Sequence, residues 1–421
     1  MEGMDRRSEG AGAGSLADSI KAKLESLPSL SSKCCIYKVP NKLRRLNPDA
    51  YSPRFMSIGP FHHGKEELQA MEEYKYRYLH SFLTRTSFSL EQLVGVARTW
   101  EENARSCYAE DVELNSDEFV KMLVVDGSFL VEFILRYGYH GLRGENDRIY
   151  GKPWMITDVF HDIVLIENQL PFFVVKSLFD LLSSDYQQGT DSVRQIIHFC
   201  FSRYLRMFDA NLKPEPDHFV DVLRSFYLPE VPMEVEETTT LKISNAPEAT
   251  ELLNAGVTFK PVETSSCFLD LKFADGVLEI PTIAVSDRTE TIYRNIIVFE
   301  QCHCSDKIFI EYTRLLSCFI GSPAGADILI RSGIFVNHLG NSEDVSKLFS
   351  SMCQEVNFGA KFHFQSLSKN LHAYCNTPWN RWKAVLRRDY FQNPWSVASV
   401  LAAVLLLILT FIQAICSILA L

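Results

Sequence analysis

The sequence predicts a mainly α-helical protein: a helical body with a small β-hairpin insertion and one C-terminal transmembrane helix. Apolar residues recur at the three- and four-residue spacing of helices over most of the chain between Gly64 and Phe391. Apolar and polar residues alternate clearly only on either side of Asp275-Gly276. No charged residue follows Asp389, and the last 25 residues, Val397–Leu421, are almost entirely apolar.

The composition is that of a folded, slightly acidic protein. The 421 residues include 42 Lys and Arg against 52 Asp and Glu, which gives a formal net charge of −10. The hydrophobic fraction of 47% excludes a chain that is disordered throughout, because such chains contain few apolar residues. The acidic balance argues against a general nucleic-acid binder, which needs a basic surface to displace counterions. We therefore expect no nucleic-acid partner, and no motif calls for a cofactor.

Composition shifts along the chain predict five segments. The small, polar residues of the N-terminus indicate a disordered leader, and five prolines with clustered glutamates indicate a linker or long surface loop near the middle. The predicted segments are a leader (1–32), an N-terminal helical lobe (33–210), an acidic Pro-rich linker (211–247), a C-terminal lobe (248–391) with a hairpin near 267–286, and a transmembrane helix (394–421).

Five helices are predicted in the N-terminal lobe from apolar periodicity and capping residues. Ser89 and Gln92 offer a capping box for the second helix, and Asp117 can cap the third. Pro171 should kink or divide the fourth, because proline lacks the N–H that a helix interior requires. The predicted helices begin after Gly64 and run through Phe82, then cover Ser89–Tyr108, Phe119–Tyr137, Asp158–Leu182 and Asp191–Phe208.

The C-terminal lobe begins with a short helix that Gly256 should end, since glycine favours the left-handed C-cap conformation. Leu269, Leu271 and Phe273 then alternate with polar residues before the Asp-Gly turn, which predicts a β-hairpin. The predicted helices of this lobe are Glu248–Ala255, Thr289–Cys304, Lys307–Ile320, Ala326–Arg331, Glu343–Val356, Phe362–Tyr374 and a juxtamembrane helix over Trp379–Phe391.

The C-terminal segment 394–421 has the composition of a transmembrane helix. A helix over Val397–Leu421 is longer than the roughly 30 Å of hydrocarbon that it has to cross. Basic residues on one flank and a Trp at the boundary are typical of an anchored helix, and a buried core helix is the alternative. The predicted residues at the membrane interface are Arg387, Arg388, Pro394 and Trp395.

The flanking charges also predict which side of the membrane the body occupies. The bilayer is the expected partner of residues 394–421. Basic residues next to a spanning helix favour the cytoplasmic side, so we predict a cytosolic body, and the inverted topology is the alternative. The 11 cysteines, the absence of an Asn-x-Ser/Thr sequon and the lack of an apolar signal in Met1–Leu30 agree with a reducing compartment. The sequence does not distinguish the plasma membrane from the endoplasmic reticulum.

Residues Gly59 to Glu66, with the sequence GPFHHGKE, have the glycine and lysine spacing of a phosphate-binding loop. Glu66 stands where such loops carry Ser or Thr, and its carboxylate would repel a phosphate. Pro60 also removes one backbone donor. The favoured interpretation is a turn that leads into a helix, formed by Gly59, Pro60, His62, His63 and Gly64.

The triplet Cys302-His303-Cys304 suggests a metal site, but a zinc site needs four ligands and the sequence offers no second pair of ligands near this one. A structural cluster at a helix end is the favoured interpretation, and we predict no metal.

Asp126 and Glu167 are the most informative carboxylates, because each lies in a strongly apolar predicted helix, where an unpaired charge is costly. One interpretation is an acid or base with a raised pKa. The other, which we favour, is a buried polar network that includes the neighbouring Asn168 and Gln169. The sequence contains neither a G-x-S-x-G nor an H-E-x-x-H motif, so no catalytic residue is assigned.

Several long blocks resemble the plant family called domain of unknown function 247. The residues that carry the resemblance are Ile36–Leu79, Asp162–Val175, Ala249–Lys260, Phe268–Cys302 and Trp379–Gln413. Asp126-Gly127-Ser128-Phe129 is similar to the D-G-C-F step of the family, with Ser in place of Cys. The resemblance implies a plant protein with a terminal membrane helix and no established catalytic residue. It also implies kinship with members associated with self-incompatibility, development or stress responses.

Two classes of function follow. The first is a non-catalytic, membrane-anchored module for protein interaction or recognition, with an unidentified protein partner. The second is a membrane-associated, hydrolase-like enzyme that would use Asp126, Glu167 and His62 or His63. Convergence of these side chains on one open cleft would favour the enzyme, and burial or dispersal would favour the interaction module. The sequence predicts no particular oligomeric state.

Overall fold

The computed structural model describes residues 10–25, 31–182, 193–205, 215–228, 246–262, 267–359, 362–386 and 394–419. Within these ranges the chain is mainly α-helical with two small β-sheets, which confirms the predicted fold class. The first ten α-helices are α1 (Gly10–Glu25), α2 (Asn41–Arg44), α3 (Glu72–Arg85), α4 (Leu90–Arg98), α5 (Glu101–Arg105), α6 (Ser116–Gly138), α7 (Pro153–Ile163), α8 (Phe172–Asp180), α9 (Val193–Leu205) and α10 (Phe219–Tyr227).

The second half of the chain carries the strands and eight more helices within the described ranges. The strands are β1 (Thr258–Val262), β2 (Lys272–Ala274), β3 (Val277–Pro281), β4 (Ile283–Val285) and β5 (Phe335–Asn337). The helices are α11 (Ala249–Asn254), α12 (Asp287–Cys302), α13 (Ile308–Ile320), α14 (Pro323–Arg331), α15 (Ser342–Met352), α16 (Gln365–Asn376), α17 (Pro378–Val385) and α18 (Pro394–Leu419). Three 3₁₀ turns lie at Pro48–Tyr51, Glu66–Met71 and His140–Leu142.

Helix α6 is the central helix of the first half and is buried on nearly all sides, as its apolar sequence predicts. It packs against α3, α4, α8 and α9. The predicted cap at Asp117 is wrong: Asn115 is the cap, and its side chain accepts a hydrogen bond from the Glu118 N–H at 3.0 Å. The Glu118 carboxylate in turn accepts a hydrogen bond from the Asn115 N–H at 3.2 Å. This reciprocal pair fixes the start of the helix.

The capping box at Ser89 and Gln92 is confirmed, with both reciprocal bonds present. The long helix predicted from Asp158 to Leu182 is two helices, α7 and α8, and α7 begins already at Pro153. Pro171 stands at the N-cap of α8, so the proline divides the segment as predicted. Between the two helices runs an irregular segment, Val164–Pro171, in which every residue is buried.

The predicted linker 211–247 is wrong over α10, a helix in which every residue is buried. The His218 side chain caps it by accepting a hydrogen bond from the Asp221 N–H. The surrounding prolines and acids hid this short apolar stretch; the rest of the predicted linker, apart from 215–218, 228 and 246–247, lies outside the described residues. In the predicted leader, where we expected disorder, α1 is a helix whose residues 16–25 are exposed, because its Ala, Leu and Lys residues favour helix.

The predicted hairpin is confirmed as the antiparallel pair β2–β3, with Lys272 opposite Glu279. Asp275 and Gly276 adopt φ values of 50° and 77°, the positive values that a tight hairpin turn requires. The sequence did not reveal that β1 pairs in parallel with β3, or that β4 pairs in parallel with β5. The first strand of the hairpin, β2, begins at Lys272, so the residues before Lys272 do not pair with β3.

The buried core is one continuous cluster that draws residues from both predicted lobes. Helix α10 packs against α12, and α12 also contacts the 3₁₀ turn Pro48–Tyr51 near the start of the body. Asn295 of α12 joins the halves directly, since its amide donates to the Ala50 carbonyl at 2.8 Å and accepts from the Ile166 N–H at 2.8 Å. The boundary at 211–247 therefore does not separate two cores.

Helix α18 is long and apolar enough to cross a membrane, and none of its residues from Leu401 to Leu419 is buried against the rest of the protein. Its first residue is Pro394; the side chains of Pro394 and Trp395 lie outside the described part, as do Arg387 and Arg388 altogether. The juxtamembrane helix predicted over Trp379–Phe391 is represented by α17 (Pro378–Val385), and the predicted residues 387–391 lie outside the described part of the chain.

Candidate functional site

The irregular segment Val164–Pro171 lies at the centre of the site. A buried segment without regular structure must find partners for its own backbone and for the chain that packs on it. Four side chains at or next to this segment supply them. We call these the polar hub: Asp162, Glu167, Asn168 and Gln169.

The two amides of the polar hub bond in several directions at once. The Asn168 Oδ1 accepts from the Ile58 N–H at 2.7 Å, and its Nδ2 donates to the Met56 carbonyl at 3.1 Å. The Gln169 Nε2 donates to the carbonyls of Ile163 and Leu165, while its Oε1 accepts from the Phe219 N–H at 3.0 Å. Asn168 therefore holds the irregular chain before the GPFHHGKE motif, and Gln169 holds the start of α10.

Asp162 is a member of the polar hub that sequence reasoning missed. Its carboxylate accepts from three consecutive N–H groups, those of Arg54 (2.9 Å), Phe55 (2.7 Å) and Met56 (2.8 Å). His161 Nδ1 lies 2.9 Å from the same carboxylate. The available signal was an acidic residue inside the apolar run of α7, the criterion that singled out Asp126 and Glu167.

Glu167 is buried and held by three partners. The Val39 N–H donates to it at 2.6 Å, the Arg44 guanidinium forms an ion pair with it, and His62 Nε2 lies 3.4 Å from its second oxygen. Burial alone would raise the pKa of Glu167, but the bonds from His62, Arg44 and the Val39 N–H outweigh it and hold the pKa below its usual value. Glu167 is therefore ionised at neutral pH.

We expect Glu167→Gln to lower the free energy of unfolding at pH 7 by about 1–3 kcal/mol, because the lost bonds are charge-assisted. A carboxyl whose pKa is lower in the folded state stabilises above its unfolded pKa of about 4.5, and that contribution disappears as the pH falls through the folded pKa. The deficit should therefore shrink below pH 4.5. Denaturant titrations of the full chain in detergent micelles at pH 7 and pH 3.5 measure it.

The control for this prediction is Glu343→Gln, which removes the carboxylate of an exposed pair with Lys347 whose pKa is also lowered. Exposed pairs contribute little, so this change should barely alter stability at either pH. A Glu167 deficit that stayed constant across the two pH values would contradict the charge-based explanation.

Asp126 forms the second buried centre, together with Lys75 of α3. Lys75 Nζ donates to Asp126 at 2.8 Å and to Glu72 at 2.6 Å, and the Gly59 N–H donates to the other Asp126 oxygen at 2.9 Å. The exposed fraction of the side chain is 0% for Lys75 and 1% for Asp126, so neither charge reaches water. Removing either partner would leave the other charged and buried.

Burial and pairing act in opposite directions on the two groups. Burial raises the pKa of the Asp126 carboxyl above its usual value, and Lys75 only partly opposes this rise. Burial alone would lower the pKa of Lys75, but Asp126 and Glu72 outweigh it and raise that pKa. The sequence did carry a signal for Lys75, since it falls on the same buried face of α3 as Tyr78 and Phe82.

The GPFHHGKE motif is the turn that connects these two centres. Gly59 has a φ of +75° and Gly64 a φ of +77°, and a 3₁₀ turn begins at Glu66, two residues after Gly64. The Gly59 N–H, which a phosphate-binding loop would offer to its ligand, donates to Asp126 instead. His62 points to Glu167, whereas His63 lies on the Asp126 side of the motif.

The four side chains of the enzyme hypothesis do not converge on one open cleft. His63 and Asp126 line a small recess of about 240 Å³, while His62 and Glu167 are buried together elsewhere. A much larger cavity of about 850 Å³, which the sequence did not predict, opens between α3, the end of α6 and the loop before α7. We call it the charged cleft. Its charged lining residues are Glu73, Arg77, Arg85, Arg136, Glu145, Asp147, Arg148 and Lys152.

The triplet Cys302-His303-Cys304 ends α12, where His303 is the C-cap. His303 lies 3.2 Å from the Tyr37 hydroxyl and stacks on Phe299, so the helix-end cluster ties α12 to the start of the body. Among the residues that the structure describes, no group of three or more His, Cys, Asp or Glu side chains is arranged to hold a metal ion.

Fold and site together define a class of protein: a helical body whose buried acids brace an internal turn, followed by one long apolar helix that the body does not cover. The chain belongs to the DUF247 family, described as plant proteins of unknown function, whose model matches residues 36–409. It is 26% identical to the UPF0481 protein At3g47200 of Arabidopsis thaliana over 92% of this chain and 87% of that protein. It is 24% identical to the putative UPF0481 protein At3g02645 of the same plant, over 94% and 92% of the two chains. No solved structure matches.

Proposed function

We propose that this chain is a membrane-anchored, non-catalytic interaction module with its helical body in the cytosol. The observation that carries the anchoring part is α18, whose apolar residues from Leu401 to Leu419 are all uncovered by the body. So much exposed apolar surface is unfavourable in water and is matched to a bilayer in length. The basic residues before the helix support a cytosolic body.

The non-catalytic part rests on the state of the candidate acids. Both oxygens of Asp126 accept hydrogen bonds within the protein, and one oxygen of Glu167 accepts from the Val39 N–H and pairs with Arg44. Asp126 and Glu167 each accept a hydrogen bond from a buried backbone N–H that would otherwise have no partner. This role is structural. One observation favours the alternative, a hydrolase-like enzyme: His63 and Asp126 share the small recess of about 240 Å³.

The charged cleft is the surface that best suits a protein partner. Its lining contributes five cationic side chains and three carboxylates, in a chain whose net charge is −10. Buried Glu132 fixes two of the cations, Arg85 and Arg136, with bonds of 2.7 and 3.0 Å. An open groove lined by charge suits an extended acidic segment of a partner better than an apolar small substrate, which prefers an enclosed apolar pocket. Recognition in signalling, development or self-incompatibility would use such a contact.

The anchoring part is tested by deleting Val397–Leu421 and fractionating plant cells. We expect the full chain in the membrane pellet, resistant to carbonate extraction, and the truncated chain in the soluble fraction. In sealed vesicles with the cytosolic face outward, added protease should digest the body. Solubility of both chains would contradict the anchor, and protection of the body would contradict the cytosolic orientation.

The interaction part is tested by proximity labelling from the full-length protein in plant cells. Arg148→Glu/Lys152→Glu reverses two charges of the cleft, and Lys42→Glu/Arg45→Glu makes the same change on α2, outside it. We expect a subset of labelled proteins to disappear with the first variant and to remain with the second. Identical labelling by all three proteins would contradict recognition through the charged cleft.

A further inference from the structure

Helix α17 carries an apolar face that remains exposed in the described part of the chain. The exposed fractions are 70% for Trp379, 67% for Trp382 and 46% for Leu386, the residue that follows the helix end. Spacings of three and four residues place these side chains on one face of the helix. Two neighbouring tryptophans this exposed are unusual on a surface that meets only water.

The opposite face of α17 fixes the helix on the body. A Cβ added at Gly256, just beyond α11, would lie 3.1 Å from the Ala384 Cβ, so α17 and α11 are in close contact. The Asn380 side chain donates to the Tyr374 carbonyl at 3.1 Å, which ties α17 to α16. Because Asn380 and Ala384 are one turn apart on the docked face, the tryptophan face points away from the body.

Positive charges flank the apolar face. At 100° per residue, Arg381 and Lys383 lie on the two sides of the stripe formed by Trp379, Trp382 and Leu386. Both basic side chains are exposed, and the ion pair that the described residues form with Arg381, through Glu251, is as long as 3.8 Å. An apolar face with basic edges is the pattern of a helix that lies in a membrane interface.

The chain also keeps α17 near the entry point of α18. Eight residue steps join Leu386 to Pro394, and an extended chain of that length spans at most about 29 Å. The apolar face therefore stays within reach of the headgroup layer of whichever bilayer α18 crosses. A soluble protein partner would not require the apolar face to lie near the membrane. The position of this face and its basic edges therefore favour lipid over a soluble protein as the occupant.

We propose that α17 lies in the cytosolic headgroup layer of the bilayer that α18 spans. Trp379 and Trp382 insert at the interface, where tryptophan is favoured, and Arg381 and Lys383 contact anionic lipid phosphates. This inference rests on the proposed anchoring by α18. Two points of attachment, one spanning and one lying flat, fix the tilt of the body relative to the membrane.

Tryptophan fluorescence in nanodiscs tests this placement. The probe is the full chain carrying Trp395→Phe, in discs of phosphatidylcholine and phosphatidylserine whose acyl chains are brominated. Bromine quenches only tryptophans that enter the bilayer, and we expect quenching in this background. Trp379→Gln/Trp382→Gln should abolish it. The matched control is Trp154→Gln, which removes an exposed tryptophan of α7 and should leave the quenched component unchanged.

The outcomes separate the two proposals. A chain that co-elutes with the discs but shows no quenching beyond that of the Trp379→Gln/Trp382→Gln variant would overturn the interfacial placement and leave the anchor intact. A chain that does not co-elute would overturn both. Arg381→Gln/Lys383→Gln should reduce quenching in anionic discs to the value in phosphatidylcholine discs. An unchanged value would overturn the contact with anionic lipid.

Discussion

Replacing Lys75 by methionine is expected to lower the free energy of unfolding by about 3–5 kcal/mol. The change keeps most of the aliphatic stem but leaves Asp126 buried, with its cation gone. The Gly59 N–H alone cannot compensate a carboxylate that is 1% exposed. Chemical denaturation of the full chain in detergent micelles, followed by circular dichroism of the helices, measures the loss.

The matched control is Lys176→Met. Lys176 pairs with Asp180 at the same 2.8 Å that separates Lys75 from Asp126, and both members of this second pair are exposed. Exposed pairs contribute about 0–1 kcal/mol, because water solvates each charge when the other is removed. The difference between the two variants therefore measures burial, with the distance and the substitution held constant.

A second variant distinguishes a structural Asp126 from a catalytic one. Adding Asp126→Asn to Lys75→Met removes the unpaired charge while the amide oxygen can still accept from the Gly59 N–H. We expect the double variant to regain most of the lost stability. If Lys75→Met were as harmless as Lys176→Met, the ion pair would not brace the fold, and the enzyme hypothesis for Asp126 would gain.

Features determined by adjacent residues could be predicted from the sequence. The Ser89–Gln92 capping box and the Asp275-Gly276 turn depend on groups a few residues apart, and both are confirmed. Periodicity failed over Val164–Pro171, because its apolar residues continue the apolar run of α7, and such a run does not distinguish a buried loop from a helix. The polar hub was therefore only partly predicted, through Glu167, Asn168 and Gln169.

Features determined by distant residues could not be predicted in this way. Helix α10 is stabilised by contacts whose partners lie far along the chain, such as Gln169 bonding the Phe219 N–H and Glu300 pairing with Arg224 at 2.7 Å. Strand β1 pairs in parallel with β3, and β2 lies between them in the sequence. Because no tight turn joins β1 to β3, no turn sequence indicates this pairing. Lys75 lies between these cases: its position on the buried face of α3 was visible, but its partner, 51 residues away, was not.

Gly59→Ala is expected to lower the free energy of unfolding by about 2–5 kcal/mol, for two reasons that add. A φ of +75° costs an alanine about 1–2 kcal/mol. The new Cβ would also lie 2.3 Å from the Gln169 carbonyl oxygen, a backbone atom that cannot move without disturbing the polar hub. Denaturation of the full chain under the same conditions measures the effect.

Gly64→Ala separates the two causes. Gly64 has nearly the same φ, +77°, but no described atom lies within 4 Å of its added Cβ, so only the backbone cost of about 1–2 kcal/mol applies. A larger loss of stability at Gly59 means that contact with Gln169 and Asp126 holds the motif in place. Equal losses would mean that the turn shifts freely against the polar hub. The glycine spacing that resembles a phosphate-binding loop would then need an explanation other than packing.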